Sequence, residues 1–577
     1  MSDTVFKEIG YSLDTLISEI ESGVIGLPDI QRPFKWKNPK VRDLFDSMYR
    51  GFPVGYLLLW ANGLPNGHRQ IGTDTKQRVP RLLIVDGQQR LTSLYAVMKG
   101  AEVLRENYRK ERIFIAFSPK DDVLKVTDAA VKNDAEFIPD ISVLWEGARE
   151  TTVKGYLDRL RARRPIDQEE ENRLREAIDR LYDLRSYPFR VLELSADVKE
   201  EDVAEVFVRI NSMGITLNQA DFILTLMSVF WDEGRTDLET FCRLSREPTT
   251  AASPFNYFIW PDPDQLLRVG VGLGFRRARL EHVYSVLRGK DMETGEFSDE
   301  RRDQQFAVLR EAQAYTLNLE NWQAFLKVPM RAGYRSGAMI TSQVGLLYTY
   351  VLFLIGKRDF RVDDFTLRNV LARWFFMTAL TGRYSESPES RMEQDLSLLR
   401  DVPDAAGFVA LLDSIVRDTL TEDYWNIALP NQLGTSASRT PSLFAYFAAL
   451  NLLEARVLFS KMKVSELLDP APKANRAALE RHHLFPRGHL AKIGIADTRD
   501  VNQIANFALL EWPDNNDIGD QSPADYYPRY ASRLSKEMSY WHALPHGWEK
   551  MTYHDFLGER RKSMARVIRD GFARLWQ

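Results

Sequence analysis

The chain of 577 residues is too long for a single hydrophobic core, so we expect two to four domains. Its 44% hydrophobic and 27% charged residues are ordinary for a soluble globular protein, and no segment approaches the roughly 18 uninterrupted apolar residues of a membrane span. The single cysteine, Cys242, excludes an internal disulfide and a cysteine-rich zinc site, and the net charge of -4 argues against a uniformly basic coat while leaving local basic surfaces open.

The N-terminal part of the chain begins with an amphipathic, acidic segment that lacks the basic end and apolar stretch of a signal peptide. We therefore expect a cytoplasmic protein with no membrane partner. Further along, short apolar runs alternate with turns. "GYLLLW" at 55–60 and "RLLIVDG" at 81–87 predict two buried strands.

The segment "RLLIVDGQQRLTSLYAVMKG" at 81–100 predicts a strand, a tight turn at Asp86 and Gly87, and an amphipathic helix. Gln88, Gln89 and Arg90 occupy the first helical turn beside unsatisfied backbone N–H groups, a position suited to anions. Because an arginine there can add a bidentate contact, we expect a phosphate to bind. The alternative is that Asp86 merely caps the helix and Arg90 is solvated.

The middle of the chain is predicted to be helical. Residues 198–231 have helical spacing interrupted at 212–214, which indicates a helix, a turn and a second helix. Long helical patterns dominate from about 220 to 465, for example at 337–355 and 365–382. The proline-containing segment "DPAPKANRA" at 469–477 predicts a domain boundary.

Six of the eight histidines lie in the last 96 residues, three of them in "RHHLFPRGHL" at 481–490. A strand that ends in histidine, a loop, a second strand at 501–512 and a helix bearing an amide or acidic ligand form the order of a ββα-metal nuclease. Such chemistry needs a base to activate water and a divalent ion on the phosphate, and histidine is a suitable base near neutral pH. The alternative is that His482 and His483 are surface or helix-cap histidines.

"HHLFP", "IANFALL" and "PDNN" resemble the His-Asn-His-type (HNH) domain at the C-terminus of GmrSD-like restriction nucleases. The resemblance implies that His483 is the general base, that His482 ligates a metal and that Asn506 orients the base. Asn515 or Asn516 would complete the metal site. Histidine stands at 482 where relatives also have aspartate, which leaves fewer hard oxygen ligands and favours Mn²⁺ over Mg²⁺.

"DGQQR" with the following "LTSL" resembles the ParB-like N-terminal domain of the same nucleases, which is associated with nucleotide hydrolysis. "LPDIQRPFKWK" at 27–37 and "FVRINSMGITLNQAD" at 207–221 resemble two further elements of that domain, and "TGRYS" at 381–385 resembles an element of its helical linker. No Walker A lysine motif is present, so hydrolysis would use a site without a P-loop. The resemblance implies a site that binds nucleotide or senses DNA, with the candidates Gln31, Arg32, Asp86, Gly87, Gln88, Gln89, Arg90 and Asn211.

The sequence thus predicts a predominantly helical α+β protein in three parts. These are a ParB-like α/β sensing domain at 1–200, a helical relay at 201–468 and an HNH nuclease domain at 469–577. The predicted activity is metal-dependent endonucleolytic cleavage of DNA in antiphage defence, with Mg²⁺ or Mn²⁺ as cofactor and with regulation by GTP or ATP hydrolysis and by DNA modification such as phosphorothioate. The alternative is a ParB-like nucleic-acid-binding regulator with a non-catalytic HNH module, and self-association of the chain is left open.

Three basic clusters are candidates for following DNA phosphates, although each alone is more often a solvated helix face. They are "RLRARR" at 159–164, "RRAR" at 276–279 and "ERRK" at 559–562.

Overall fold

A computed structural model describes most of the chain. The described residues are 6–26, 34, 36–61, 81–105, 109–147, 149–195, 198, 219–291, 294, 298–470 and 479–577. Three candidates from the sequence, Gln31, Arg32 and Asn211, lie outside them, as does most of the predicted helix-turn-helix. The described chain is predominantly helical with small sheets, which confirms the α+β class.

Two compact units divide the chain, Met1–Arg235 and Thr236–Gln577. The predicted boundary near residue 469 therefore lies inside the second unit, which holds both the helical region and the C-terminal segment. None of the described helices is long and apolar enough to cross a membrane.

The first unit is built on a five-stranded mixed sheet and two hairpins. The strands are β1 (Phe6–Ser12), β2 (Ile25–Gly26), β3 (Leu57–Ala61), β4 (Leu82–Asp86), β5 (Glu102–Leu104), β6 (Lys110–Arg112), β7 (Ile115–Ser118), β8 (Val123–Val126) and β9 (Pro188–Leu194). In the large sheet the order is β1-β9-β3-β4-β2, with β1 antiparallel to β9, β9 parallel to β3, β3 antiparallel to β4 and β4 parallel to β2. The pairs β5–β6 and β7–β8 are antiparallel.

Helices cover one face of this sheet. They are α1 (Leu13–Glu21), α2 (Asn38–Tyr49), α3 (Gln88–Met98), α4 (Ala129–Asn133), α5 (Val143–Glu146), α6 (Arg149–Arg161) and α7 (Gln168–Tyr182). Alternation along β3 sends Leu57 and Leu59 into the main core and Leu58 and Trp60 into a smaller cluster on the opposite face. The two strands predicted from apolar runs are confirmed as β3 and β4. Two helices close to the unit boundary follow, α8 (Gln219–Phe230) and α9 (Asp232–Leu244).

The second unit starts as a helical bundle. Its helices are α10 (Pro263–Phe275), α11 (Leu280–Leu287), α12 (Asp299–Thr316), α13 (Leu319–Arg331), α14 (Gln343–Arg358), α15 (Asp364–Thr381), α16 (Pro388–Ser397), α17 (Ala405–Thr419), α18 (Leu429–Gln432), α19 (Pro441–Leu452) and α20 (Val464–Leu467). Every residue of α14 from Gly345 to Gly356 is buried, which explains why its sequence is apolar on all sides. The long helices predicted in this region are confirmed.

The C-terminal segment packs a short sheet against further helices of the same unit. Its elements are β10 (Leu479–His483), α21 (Arg487–Lys492), α22 (Thr498–Val501), β11 (Phe507–Glu511), α23 (Trp512–Ile518), α24 (Pro523–Tyr530), α25 (Lys536–Trp541) and α26 (Tyr553–Ala573). The strands β10 and β11 are antiparallel, with His482 opposite Ala508 and His483 opposite Phe507. The long helix α26 packs on α19, and a side chain at Gly571 would collide with Ala449. This packing holds the β-strand pair on the helical bundle.

Candidate functional site

The two adjacent histidines at the end of β10 take different partners. The Nδ1 atom of His482 lies 2.6 Å from Oδ1 of Asn515 at α23, and the Nε2 atom of His483 lies 2.9 Å from Oδ1 of Asn502, the residue that ends α22. Successive side chains of a strand point to opposite faces, so the sequence pair naturally diverges. Each imidazole is therefore oriented by its own asparagine.

His482 is nearly inaccessible, with 4% of its surface exposed. Burial lowers its pKa to about 4, and the ring is neutral at pH 7. With the amide oxygen of Asn515 facing Nδ1, that nitrogen carries the proton and Nε2 keeps its lone pair. Nε2 is buried and has no hydrogen-bond partner among the residues that the structure describes. A buried neutral imidazole with an unsatisfied lone pair is suited to ligating a cation.

His483 is partly buried and packs its ring on Phe507, with the ring centres 4.5 Å apart. Burial lowers its pKa below the usual histidine range, and the positive charge of nearby Arg487 acts in the same direction. When Nε2–H donates to Asn502, the lone pair that accepts a proton lies on Nδ1. His483 is thus neutral at pH 7 and has the electronic state of a general base.

Asn506 has a different role from the one predicted. It is fully buried; its Oδ1 accepts the N–H of Phe485 at 2.9 Å, and its Nδ2 donates to the carbonyls of Phe485 and Val501 at 3.1 Å each. Asn506 therefore does not hydrogen-bond to His483, and Asn502 occupies the predicted place. The reason is local. Asn506 ends a short 3-10 turn, and the side chain of Asn506 points back into the loop that follows β10.

Two tyrosine hydroxyls hydrogen-bond to carbonyl groups of the segment between β10 and β11. The buried hydroxyl of Tyr526 donates to the carbonyl of Leu484 at 2.7 Å, and that of Tyr553 donates to the carbonyl of Asp500 at 2.7 Å. Neither residue stands out in the sequence, because aromatic residues at helical spacing usually form ordinary core. Together with Asn506 they set the course of the chain on both sides of the histidines.

The structure distinguishes between the two asparagines proposed to complete a metal site. Asn515 contacts His482, whereas Asn516 is exposed to solvent. The acidic neighbours have other partners: Asp514 pairs with Arg533, and Asp517 accepts from the hydroxyl of Tyr530. Among the described residues, no group of three or more His, Cys, Asp or Glu side chains is placed to hold a metal ion. A metal bound at Nε2 of His482 would therefore lack a cluster of carboxylates, and Asn515 would orient the ring from its Nδ1 side.

In the first unit, the turn between β4 and α3 is held by Arg90. Its Nη1 donates to the carbonyl of Val54 at 2.7 Å and its Nη2 contacts Oδ2 of Asp86 at 3.0 Å. Gly87 has φ +94°, and a side chain there would collide with Leu57. Burial lowers the pKa of Arg90, and the nearby carboxylate of Asp86 only partly offsets that.

This geometry excludes the capping interpretation of the turn and changes the expected role of Arg90. Asp86 does not cap the helix, since the N-cap is Gly87 without a side-chain hydrogen bond, and Arg90 is not solvated. The terminal nitrogens of Arg90 are already engaged within the protein, so the residue acts as a brace between β4 and the loop before β3. Gln88 and Gln89, both partly buried, begin α3 beside it.

Most arginines of the basic clusters that the structure describes form ion pairs within the protein or are buried. Arg164 pairs with Glu136 and Glu170, Arg276 with Asp359, and Arg277 with Glu393. In "ERRK", Arg560 is fully buried. Arg560 is therefore not available to DNA phosphates, and a phosphate would have to compete with carboxylates for the other three arginines.

Comparison with known proteins supports the coarse expectation for the first unit. Residues 13–228 match the family described as the N-terminal domain of the GmrSD restriction endonuclease, a range that runs from α1 into α8 and includes the Asp86–Arg90 turn. The match favours a restriction-endonuclease-type defence protein. The chain is also similar to an uncharacterized protein of Methanocaldococcus jannaschii, with 21% identity over 547 residues that cover 89% of this chain and 85% of the relative.

Proposed function

We propose that the protein is a DNA endonuclease of a defence system whose C-terminal segment cuts phosphodiester bonds with a divalent metal. The N-terminal part would bind and hydrolyse GTP or ATP, sense modified DNA such as phosphorothioate DNA, and control the cut through the helical region. The observation that carries the proposal is the pair of neutral histidines on β10, each oriented by a separate asparagine. The match of residues 13–228 to a restriction endonuclease domain supports it independently.

His483 is the proposed general base. Its Nδ1 takes a proton from the attacking water, while Nε2–H stays on the oxygen of Asn502 and fixes the direction of the lone pair. Contact with the tilted ring of Phe507 restricts rotation of the imidazole. Because burial holds the imidazole neutral at pH 7, the base is ready without a prior proton loss.

The buried Nε2 of His482 is the proposed protein ligand for the metal, and Asn515, whose side-chain oxygen faces Nδ1, completes the site by orienting the ring. A bound divalent ion would stabilise negative charge on the scissile phosphate and on the leaving oxygen. The residues fit such an ion, since His482 is neutral and its free lone pair is buried. An imidazole ligand without a carboxylate suits an ion that is completed by water and phosphate, and imidazole favours Mn²⁺ over Mg²⁺.

The turn braced by Asp86 and Arg90 is the proposed nucleotide-binding element of the N-terminal part. Gln88 and Gln89 begin α3, and the backbone N–H groups of a helix start attract phosphate. Arg90 then acts indirectly, by fixing the turn through Val54 and Asp86, rather than as a direct phosphate ligand. We place the protein in the cytoplasm, where DNA and nucleotide are both at hand.

The deciding experiment uses supercoiled plasmid, with and without phosphorothioate or base modification, incubated with Mn²⁺ or Mg²⁺ and with GTP or ATP. Cleavage that needs the metal and is lost in His483→Ala would support the proposal. His546→Ala is the matched control, because His546 is exposed and distant in sequence from β10. Tight DNA binding without any cleavage under all these conditions would instead favour the regulator with a non-catalytic HNH module.

A further inference from the structure

Arg560 of α26 is a fully buried cation that contacts only uncharged groups. Its Nη1 donates to the carbonyl of Ala505 at 2.6 Å, its Nη2 to the carbonyl of Phe507 at 2.8 Å, and both Nε and Nη2 reach the carbonyl of His542 at 3.2 and 3.1 Å. Burial lowers the pKa of Arg560, and no carboxylate among the described residues offsets this. The guanidinium is thus satisfied mainly by backbone oxygens, together with a side-chain hydrogen bond to Tyr446.

A charge in such a place is costly, since an apolar side chain of similar size would fill the same space without losing hydration. The contacts of Arg560 indicate that its role is to position the backbone rather than to add stability. The carbonyls of Ala505 and Phe507 belong to the two residues that flank Asn506. A planar guanidinium that binds both oxygens fixes the peptide groups 505–506 and 507–508, between which Asn506 and Phe507 lie.

Asn506 in turn hydrogen-bonds to the two residues that follow the histidines. Its carbonyl accepts the N–H of Leu484 at 2.8 Å, and its side chain bonds both the N–H and the carbonyl of Phe485. Leu484 and Phe485 directly follow His483. A continuous series of hydrogen bonds therefore runs from Arg560 through Asn506 to the residues that end β10.

We propose that Arg560 is a positioning residue of the candidate nuclease site, which holds the loop after β10 so that His483 faces Asn502 and His482 faces Asn515. The inference rests on the proposed function for its catalytic meaning. It also replaces the interpretation of Arg560 as part of a basic surface for DNA. In that cluster Lys562 is exposed, whereas Arg561 is partly buried and donates to Gln503.

The test compares Arg560→Lys and Arg560→Gln with Arg566→Gln, a control on the exposed face of the same helix. Lysine keeps the charge but loses the fork, and glutamine keeps two N–H donors without the charge. Each protein is measured for its thermal unfolding midpoint, for kcat and KM of plasmid nicking across pH, and for hydrogen–deuterium exchange of the segment 484–507.

We expect folded Arg560 variants to lose about 10- to 100-fold in kcat with little change in KM, as is typical when the support of a catalytic group is removed. Exchange should rise in 484–507 and stay unchanged in α14. Arg566→Gln should resemble the parent in every measurement.

Two results would overturn the inference. One is a folded Arg560→Lys protein with the parental kcat, pH profile and exchange. The other is global unfolding of both variants, which would assign Arg560 to the general stability of the second unit. If the parent itself does not cut DNA, the proposed function fails, whereas the exchange measurement still decides whether Arg560 holds the segment 484–507.

Discussion

The side-chain oxygen of Asn502 lies 2.9 Å from Nε2 of His483, at the end of a short helix that precedes β11. Asn506, four residues later, is turned away from that ring and bonds the loop instead. The two asparagines therefore have different roles. Asn502 sets the tautomer of the proposed base, and Asn506 sets the path of the chain that carries it.

Asn502→Asp should raise the pKa of His483, because a carboxylate beside the ring stabilises the imidazolium. His483 must be neutral to act as a base, so the acid limb of the cleavage profile should move to higher pH while activity on the plateau persists. Asn502→Ala should instead reduce kcat, by about 10- to 100-fold, through loss of orientation. Gln503→Glu serves as a control for added charge. Profiles of Asn502→Asp and parent that coincide would exclude this pairing.

Asn515→Ala should weaken Mn²⁺ binding, and Asn516→Ala should leave it unchanged, because only Asn515 contacts His482. Asn515→Asp should strengthen Mn²⁺ binding instead, since a carboxylate on Nδ1–H makes Nε2 of His482 a more basic ligand. Binding can be followed by the electron paramagnetic resonance of Mn²⁺ and cleavage by plasmid nicking. The assignment is wrong if Asn516→Ala, rather than Asn515→Ala, lowers metal affinity.

His542 should make the second unit sensitive to acid. It is buried, its Nε2 lies 2.9 Å from the carbonyl of Arg456, and burial lowers its pKa to about 4. The folded protein therefore holds this ring neutral where the unfolded chain, with a pKa of about 6.5, takes up a proton. Its contribution to stability is complete above pH 6.5 and is lost as the pH falls from 6.5 to 4.

The size of that effect is on the order of 3 kcal/mol. Denaturant unfolding of the parent and of His542→Gln at pH 7 and pH 4.5 measures it, with His546→Gln as the exposed control. The parent should lose more stability on acidification than His542→Gln does. Equal losses in both proteins would show that His542 does not determine the acid response.

Much of the fold was accessible from the sequence because its signals are local. The apolar runs before Ala61 and Asp86 form strands as predicted, and the apolar pattern around α14 and α15 forms core helices. The partner of His483 was not accessible in this way. Motif order locates Asn502 and Asn506 near the strands, but the direction of each side chain depends on a short helix and a 3-10 turn whose ends are set by packing.

The contacts of Arg560 could not be predicted from the sequence, but its burial could have been. As part of "ERRK" it looks like a surface cation, yet it falls on the buried stripe of α26 formed by Tyr553, Phe556, Leu557 and Met564. A charged residue in register with such a stripe indicates a buried, internally bonded group. Its backbone partners Ala505 and Phe507 lie 55 and 53 positions away in sequence, and these contacts follow only from the tertiary structure.

The last prediction concerns coupling between the two units. Arg90→Ala removes the brace that joins Asp86 to the loop at Val54, so the turn before α3 should lose its fixed shape and nucleotide turnover should fall. If the N-terminal part sets the population of a cutting-competent state, the same change must alter DNA cleavage, by a coupling of about 1 to 3 kcal/mol. Phosphate release and plasmid nicking are measured with and without GTP or ATP, with Lys99→Ala at the other end of α3 as the control. Either direction of change in nicking fits, since hydrolysis can license or restrain a nuclease. Should phosphate release vanish while nicking keeps the parental rate and the parental response to modified DNA, the two activities are independent and the relay through the helical region is excluded.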